Sequence, residues 1–284
     1  MNPSLVSQWS LRASVERLAW CVVMLVIPRT VADGTTNESS YATNDHFRMV
    51  RVEYDSTGGE GEAWYAYEGR IWQRWETDFP RAELNFLYRL TELTSLIPAS
   101  QPLSLKLTDP RLADHPFVFM SDVGWQRLSD DEMAALRHYL EQGGFVWIDD
   151  FWGAAEWDNL ERNFRAVSRE WKWQDLPQDH TLLNMVYPLG ECPQVPARLF
   201  FEMTGLPYDP PQVHRWPNGG AADLSQVHLR GLFNQSGRML AVATHNTDIA
   251  DGWEREGEDR EYFDRFSVST YALGINILLY AFTH

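Results

Sequence analysis

The sequence predicts an α/β fold with a doubly wound, mainly parallel sheet, and three observations in one short stretch carry this prediction. Residues 117–122 and 145–150 are nearly continuous apolar runs, the composition of parallel strands that are covered on both faces. Between them, Ser129 and Glu132 have the capping-box spacing that opens a helix, and Gly143 is placed to end it. A helix between two such strands indicates a right-handed crossover, which makes the strands neighbours in the sheet.

The other elements of the first half follow from hydrophobic periodicity. Residues 47–55 alternate apolar and polar side chains, as a half-exposed strand does, and residues 103–108 form a further short strand. Proline is tolerated in the first turn of a helix, so Pro80 fits a helix predicted over 79–96. An amphipathic pattern predicts another helix over 154–173.

The C-terminal part predicts a strand pair and a final helix. Residues 227–233 and 238–244 alternate on either side of a short turn-forming run, which indicates a hairpin. Residues 268–282 are almost entirely apolar and predict a helix packed on the sheet, and fifteen residues are fewer than the roughly 20 of a membrane span. Before the hairpin, residues 174–222 hold eight prolines and little periodicity, so we expect a loop-rich insertion.

The N-terminal segment has the features of a secretory signal. Arg12 and Arg17 precede an uninterrupted apolar run over 18–27, and small residues near Ala32 suit a signal peptidase. We therefore interpret residues 1–32 as a signal peptide, with an uncleaved membrane anchor as the alternative. Residues 33–46 are polar and predict a disordered tether, which leaves residues 47–284 as a single α/β domain.

Composition limits the partners. A net charge of −16 and a pI near 4.8 argue against nucleic acid or an anionic membrane as the main partner. Cys192 is the only cysteine after residue 32, so an exported chain has no internal disulfide. The 13 tryptophans fit either core packing or an aromatic groove for a carbohydrate or another extended polymer.

Four segments taken in order resemble the bacterial domain of unknown function 4159 family: FVFMSD, LRHYLEQGGFVWIDD, HNTDIADGWE and YALGINILLYAFTH. The resemblance covers most of residues 47–284. It implies a flavodoxin-like sheet similar to class I glutamine amidotransferases and to the ThuA-like proteins of trehalose utilisation. The family brings no established activity. Some larger members are predicted membrane proteins encoded near MoxR-type ATPases and von Willebrand A-domain proteins, so the resemblance points to a role in the cell envelope.

The same resemblance argues against amidotransferase chemistry. In amidotransferases, the nucleophilic cysteine lies on a sharp turn after the strand that corresponds to residues 145–150. This chain has Asp149, Asp150, Phe151 and Trp152 there, with no cysteine or serine. Cys192 lies in the proline-rich insertion and is not placed to act as that nucleophile, so we expect no amidotransferase activity.

Acidic side chains collect where the predicted strands end. Asp122, Asp149 and Asp150 follow two neighbouring strands, at the edge where open α/β sheets bind ligands. The loop after the hairpin adds further candidates: His245, Asp248, Asp251 and Trp253, with Trp152 as a wall. The alternative interpretation is that these aspartates cap helices and accept backbone N–H groups.

The candidates fall into roles by their chemistry. Asp149, Asp150 and His245 are the catalytic candidates, since paired carboxylates can act as acid and base on a glycosidic bond. Asp122, Asp150, His245 and Asp248 are the metal candidates, since hard oxygen ligands with one imidazole suit Ca²⁺, Mg²⁺ or Mn²⁺. Ligand contacts are expected from Asp122, Trp152, Asp248, Asp251 and Trp253. No organic cofactor is expected.

Two functions stay open at this point. The first is an exported, non-catalytic binding or assembly protein of the periplasm or cell exterior, with a protein or carbohydrate partner in the cell envelope and no membrane span after signal cleavage. The second is a hydrolase that uses the carboxylate cluster, with or without a divalent metal. A shared pocket for Asp122, Asp150 and His245 would favour catalysis, whereas dispersed carboxylates would favour binding.

We predict that export leaves a mature chain that begins near Asp33, because signal peptidase reads the small residues just before that position. N-terminal sequencing of protein recovered from the periplasm or medium checks this. An intact Met1 in the exported protein would contradict it.

Overall fold

The computed structural model describes residues 46–67, 69–209 and 224–284, which include a seven-stranded sheet flanked by helices. The predicted signal peptide and nearly all of the tether lie outside the described residues. The described residues form eleven strands in three sheets: β1 Val50–Glu53, β2 Asp55–Ser56, β3 Trp64–Tyr67, β4 Arg70–Gln73, β5 Leu103–Lys106, β6 Phe117–Ser121, β7 Gln126–Arg127, β8 Phe145–Asp149, β9 Lys172–Asp175, β10 His228–Phe233 and β11 Met239–His245. The α-helices of the described residues are α1 Arg81–Leu93, α2 Asp130–Glu141, α3 Gly153–Val167, α4 Arg198–Thr204, α5 Ile249–Glu254, α6 Arg260–Tyr262 and α7 Val268–Thr283.

The central sheet has the order β5-β1-β6-β8-β11-β10-β9. Its first five strands are parallel, and β10 runs antiparallel to both β11 and β9. Numbered along the chain, the parallel strands lie in the order 2-1-3-4-5, which is the flavodoxin-like order. The predicted α/β, mainly parallel sheet is therefore confirmed. The order reverses between β1 and β6, which makes that crevice the topological switch point.

The two apolar runs on which the fold prediction rests, residues 117–122 and 145–150, form neighbouring strands, as expected. β6 and β8 pair in parallel with Phe117 opposite Phe145, and all ten residues of the two strands are buried. Helix α2 joins them and begins with the capping box: the Ser129 side chain accepts from the Glu132 N–H, and the Glu132 carboxylate accepts from the Ser129 N–H. Both strands are thus covered on their two faces, as their continuous apolar runs predicted.

Helices cover both faces of the sheet. Helices α1 and α7 pack on one face, where the core includes Phe86, Trp147 and Ile277. Helices α2 and α3 pack on the other, with Leu136 and Phe164 in a second core cluster. This layering leaves the two ends of the strands accessible, and the carboxyl ends carry the acidic residues.

Three of the predicted helices have different bounds in the structure, and the one predicted over 79–96 is α1, Arg81–Leu93. The helix predicted over 154–173 ends at Val167, because Ser168 is extended and the chain continues into β9, an edge strand paired with β10. The final helical stretch begins earlier than predicted and runs over 260–283, through α6, a π-helical turn and α7. At 24 residues it is long and apolar enough to cross a membrane, and 56% of its most apolar window is buried within the protein.

Two segments between the strands contain regular elements that the hydrophobic periodicity did not predict. The aromatic run after the first strand forms a hairpin, in which Tyr65 of β3 lies opposite Trp72 of β4. The proline-rich insertion contains a short 3₁₀ helix, Thr181–Asn184, and helix α4. Residues 210–223 of the insertion lie outside the described residues. The β3–β4 hairpin and α4 both lie at the carboxyl edge of the sheet, where they help to enclose the site.

Candidate functional site

A cavity of about 390 Å³ opens at the carboxyl edge of the parallel strands, beside the switch point between β1 and β6. Its described lining carries three guanidinium groups, those of Arg74, Arg198 and Arg255, and a larger number of carboxylates. The carboxylates belong to Asp78, Asp122, Asp150, Glu156, Asp209, Asp248 and Asp251. Seven acidic groups against three basic ones give the pocket a negative character.

The topology of the fold brings four of these aspartates together. Asp122, Asp150 and Asp248 follow β6, β8 and β11, and Asp78 precedes α1, the helix that begins after β1 and its hairpin. Asp78, Asp122 and Asp150 have φ angles of 64°, 56° and 54°, in the left-handed region that aspartate and asparagine tolerate better than other non-glycine residues. Carboxyl ends of parallel strands meet at one edge, so the four side chains share one rim.

The Asp122 carboxylate is compensated by direct partners. Its Oδ2 accepts hydrogen bonds from Arg74 Nη1 at 2.7 Å and from Thr77 Oγ1 at 3.0 Å. Arg74 also donates to the carbonyl oxygens of Gly61 and Glu62. The guanidinium therefore joins the base of the β3–β4 hairpin to the edge of the sheet, and the hairpin becomes a wall of the pocket.

The carboxylates of Asp78, Asp150 and Asp248 form a tighter cluster, with one oxygen of each within 4.8 Å of the others. Among the described residues, none of the three forms an ion pair, in contrast to Asp122 and Asp251. Asp150 accepts from the Trp152 indole N–H at 3.1 Å, and Asp248 accepts from the Asp251 backbone N–H at 2.8 Å. The buried Oδ2 of Asp78 has no hydrogen-bond donor in the described part of the chain.

Burial and mutual repulsion act together on this cluster. Burial is the main cause that raises the pKa of each carboxyl well above its ordinary value. Repulsion adds to it: Asp122 and Asp149 raise the pKa of Asp150, and Asp150 and Asp78 raise that of Asp248. Such a cluster is stabilised either by protons or by a cation that binds between the oxygens.

Asp251 is in the pocket but has neutralising partners. It accepts from the Arg198 backbone N–H at the start of α4 and forms an ion pair of 3.3 Å with Arg255. Burial nevertheless raises its pKa to about 6. Arg255 also pairs with Glu254 and Glu258 and therefore contributes little uncompensated positive charge to the pocket.

Aromatic side chains form the rest of the wall. Tyr65 and Tyr67 come from the hairpin, Trp125 and Trp152 follow strands β6 and β8, and Phe200 comes from α4. Tyr67 is 40% exposed, whereas Trp152 is almost fully buried. The pocket lining thus combines acidic groups with aromatic side chains.

Asp149, predicted as a catalytic candidate, lies below the pocket. It is fully buried and accepts from Thr244 Oγ1 at 2.5 Å and from the Ala250 N–H at 2.9 Å. It binds the N-terminus of α5 and supports the cap interpretation, as does Asp248, the N-cap of the same helix. Burial raises its pKa to about 7.

The other two predicted residues that the structure places outside the pocket are His245 and Trp253. Adjacent strand residues point to opposite faces, so His245 points away from Thr244 and packs on Phe151 and Trp157. Burial lowers the pKa of His245 to about 3, and the imidazole is neutral. Trp253 is fully buried against the core ring of Phe86. The predicted shared point of His245 with Asp122 and Asp150 is not formed.

Five predicted site residues do line the pocket: Asp122, Asp150, Trp152, Asp248 and Asp251. Sequence reasoning missed Arg74, Asp78 and the hairpin tyrosines, because they lie in an excursion after β1 that has no helical or strand periodicity of its own. One signal was present for Asp78. It lies just before a helix that follows a parallel strand, and such positions lie at the carboxyl edge of the sheet.

Comparison with known proteins places the chain in a family. The model of the domain of unknown function DUF4159 matches residues 49–282. The chain belongs to this DUF4159 family. No curated protein matches the sequence. The match includes both the sheet and the pocket-lining residues, so the pocket belongs to the family domain itself.

The raised pKa values predict a pH-dependent stability. A carboxyl group whose pKa is higher in the folded than in the unfolded protein adds stability that is fully present below its unfolded pKa and is lost as pH rises through the folded pKa. For Asp149 this loss begins at the ordinary pKa of a carboxyl and is complete near pH 7, and for Asp251 it is complete near pH 6. In the presence of a chelator, urea unfolding should therefore show greater stability at pH 5.5 than at pH 8.5.

The variant Asp150→Asn tests the contribution of one carboxylate to this pH dependence. Asparagine tolerates the left-handed backbone of residue 150 and removes the charge. The variant should be more stable than the wild type at pH 8.5, by about 1 kcal/mol, because it removes the repulsion from Asp122 and Asp149. At pH 5.5 the difference should be smaller. A variant that is less stable at both pH values would show that Asp150 is ionised and structurally required.

Proposed function

We propose that this protein is an exported, non-catalytic binding protein that takes a small hydroxylated ligand, of the carbohydrate class, together with a divalent cation in the carboxyl-edge pocket. The observation that carries the proposal is the convergence of Asp78, Asp150 and Asp248 within 4.8 Å, without a basic partner among the described residues, inside a cavity of about 390 Å³. A cavity of this size lies within the usual range of small-molecule sites.

The donor set suits a hard divalent cation. Carboxylate oxygens are the ligands that Ca²⁺, Mg²⁺ and Mn²⁺ prefer, and the open side of the cluster leaves coordination positions for water or for ligand hydroxyl groups. Asp78 and Asp150 precede α1 and α3, and Asp248 is the N-cap of α5. Helix N-termini stabilise each carboxylate by about 0.3–1 kcal/mol, less than burial costs an uncompensated charge.

The aromatic walls support a ligand with apolar faces. A pyranose ring has flat C–H faces and hydroxyl edges, so it can pack on Tyr67 or Phe200 while its hydroxyl groups reach the carboxylates. Aromatic side chains provide large contact areas at low entropic cost. The envelope location that export would give is consistent with such a ligand.

We infer a non-catalytic role on an amidotransferase-like scaffold because the position of the nucleophile is occupied by other residues. The chain passes from β8 through Asp150, Phe151 and Trp152 into α3. Cys192 is buried within the core on the α1–α7 face, and burial raises the pKa of its thiol far above the range of a reactive thiolate.

A titration with Mn²⁺, Mg²⁺ and Ca²⁺ by isothermal calorimetry tests the proposal. We expect one cation per chain for the wild type, and an affinity at least tenfold lower for Asp150→Asn and for Asp248→Asn, since each loses one ligand. Asp158→Asn, on the exposed face of α3, is the matched control and should bind as the wild type does. Absence of binding by the wild type, or equal binding by all four proteins, would contradict the proposal.

Hydrolysis is a second candidate, and one arrangement favours it. Burial raises the pKa of both Asp122 and Asp150, but Arg74 pairs with Asp122 and lowers its pKa, whereas Asp150 on the neighbouring strand has no ion-pair partner among the described residues. An ionised and a protonated carboxyl on one rim are what glycosidic cleavage requires. Turnover of a panel of chromogenic glycosides that is lost in Asp150→Asn and kept in Asp158→Asn would establish catalysis. Binding of the same sugars without turnover would establish the non-catalytic role.

A further inference from the structure

A fully buried ion pair lies beneath the pocket. Arg51 of β1 pairs with Glu83 of α1 at 2.7 Å, and both side chains are 0% exposed. The guanidinium also lies over the ring of Phe119, with 4.9 Å from Cζ to the ring centroid. Arg51 therefore cannot contact a ligand in the pocket, and its effect must pass through the residues that it holds.

Arg51 holds the segment that leads to Asp78. Its Nη1 donates to the carbonyl oxygen of Trp75 at 2.9 Å and to that of Thr77 at 2.6 Å. Asp78 follows directly, with a left-handed φ of 64°, and α1 begins at Arg81. The segment 75–78 joins the end of the β3–β4 hairpin to α1, and two of its carbonyl groups are fixed by one side chain of the central sheet.

Stability alone is a poor reason for such a pair. Two charges that are taken out of water lose hydration free energy, and their mutual attraction barely offsets this loss. Proteins in which apolar residues of similar size replace such a pair are often as stable. Burial raises the pKa of Glu83, which reflects this cost, although Arg51 opposes the shift. What apolar side chains cannot do is donate to two carbonyl groups at fixed angles.

We propose that Arg51 is a positioning residue: it fixes residues 75–78 so that the carboxylate of Asp78 meets those of Asp150 and Asp248. The cation-binding part of this inference rests on the proposed function, whereas the positioning part does not. Arg51 thereby connects the core of the sheet to Asp78, the member of the cluster that lies between the β3–β4 hairpin and α1.

The test replaces the pair by apolar residues of similar size, Arg51→Met with Glu83→Met, in the full chain. We expect circular dichroism and the urea midpoint to stay close to the wild type. Hydrogen exchange of the Thr77 and Phe79 amides, which bond to Arg74 and Glu76 carbonyl oxygens, should become at least tenfold faster, while amides of β6 and β8 keep their protection. The affinity for Mn²⁺ should fall at least tenfold.

Two further variants serve as a control and as a substitute for the double variant. Arg89→Met removes another ion pair of α1, with Glu256, and should change neither exchange at 77–79 nor Mn²⁺ affinity. Arg51→Lys retains the charge, so it serves if the double variant does not fold, and the same faster exchange at 77–79 is expected.

The two proposals fail in different ways. A wild type that binds no Mn²⁺ overturns the proposed function, and exchange at 77–79 then decides the role of Arg51 alone. A folded Arg51 variant with wild-type exchange at 77–79 overturns the positioning role, whether or not the cation binds.

Discussion

The carboxylates of Asp78, Asp150 and Asp248 repel one another across less than 5 Å, and this repulsion is the constraint around which the pocket is organised. Parallel strands end at one edge, so each acidic residue that follows a strand adds negative charge to the same rim. Arg74 compensates Asp122 and Arg255 compensates Asp251, which leaves the three-carboxylate cluster as the part of the rim that protons or a cation must balance.

The elements around this cluster all serve to hold it in place. The β3–β4 hairpin is joined to the sheet edge through Arg74, and the segment after it is fixed from below by Arg51. Helix α5 is held by Asp149, whose carboxylate accepts from the Ala250 N–H. These hydrogen bonds make it costly for the carboxylates to move apart, and under the proposed function a bound cation relieves their repulsion.

The sequence predicted the parts of the fold whose burial leaves a periodic pattern. Strands β6 and β8, helix α2 and its cap follow from apolar runs and from Ser129 with Glu132. The pocket residues that were predicted lie just after such strands, as Asp122 and Asp150 do, or in the loop and helix that follow β11, as Asp248 and Asp251 do. Asp78 and Tyr65 lie between β1 and α1, in a segment that Thr77 joins to Asp122, and no local sequence pattern reports this long-range contact. His245 was predicted in the site but lies outside the pocket, because successive side chains of β11 point to opposite faces of the sheet and that of His245 points away from the pocket.

The most direct measurement is a crystal structure of the protein soaked in Mn²⁺, with the metal located by its anomalous scattering. The account predicts a single peak between Asp78, Asp150 and Asp248, at about 2.0–2.6 Å from an oxygen of each, the range of hard divalent cations. Crystals that show no anomalous peak at millimolar Mn²⁺, with the three carboxyl groups hydrogen-bonded to one another, would contradict it and show that protons alone balance the cluster.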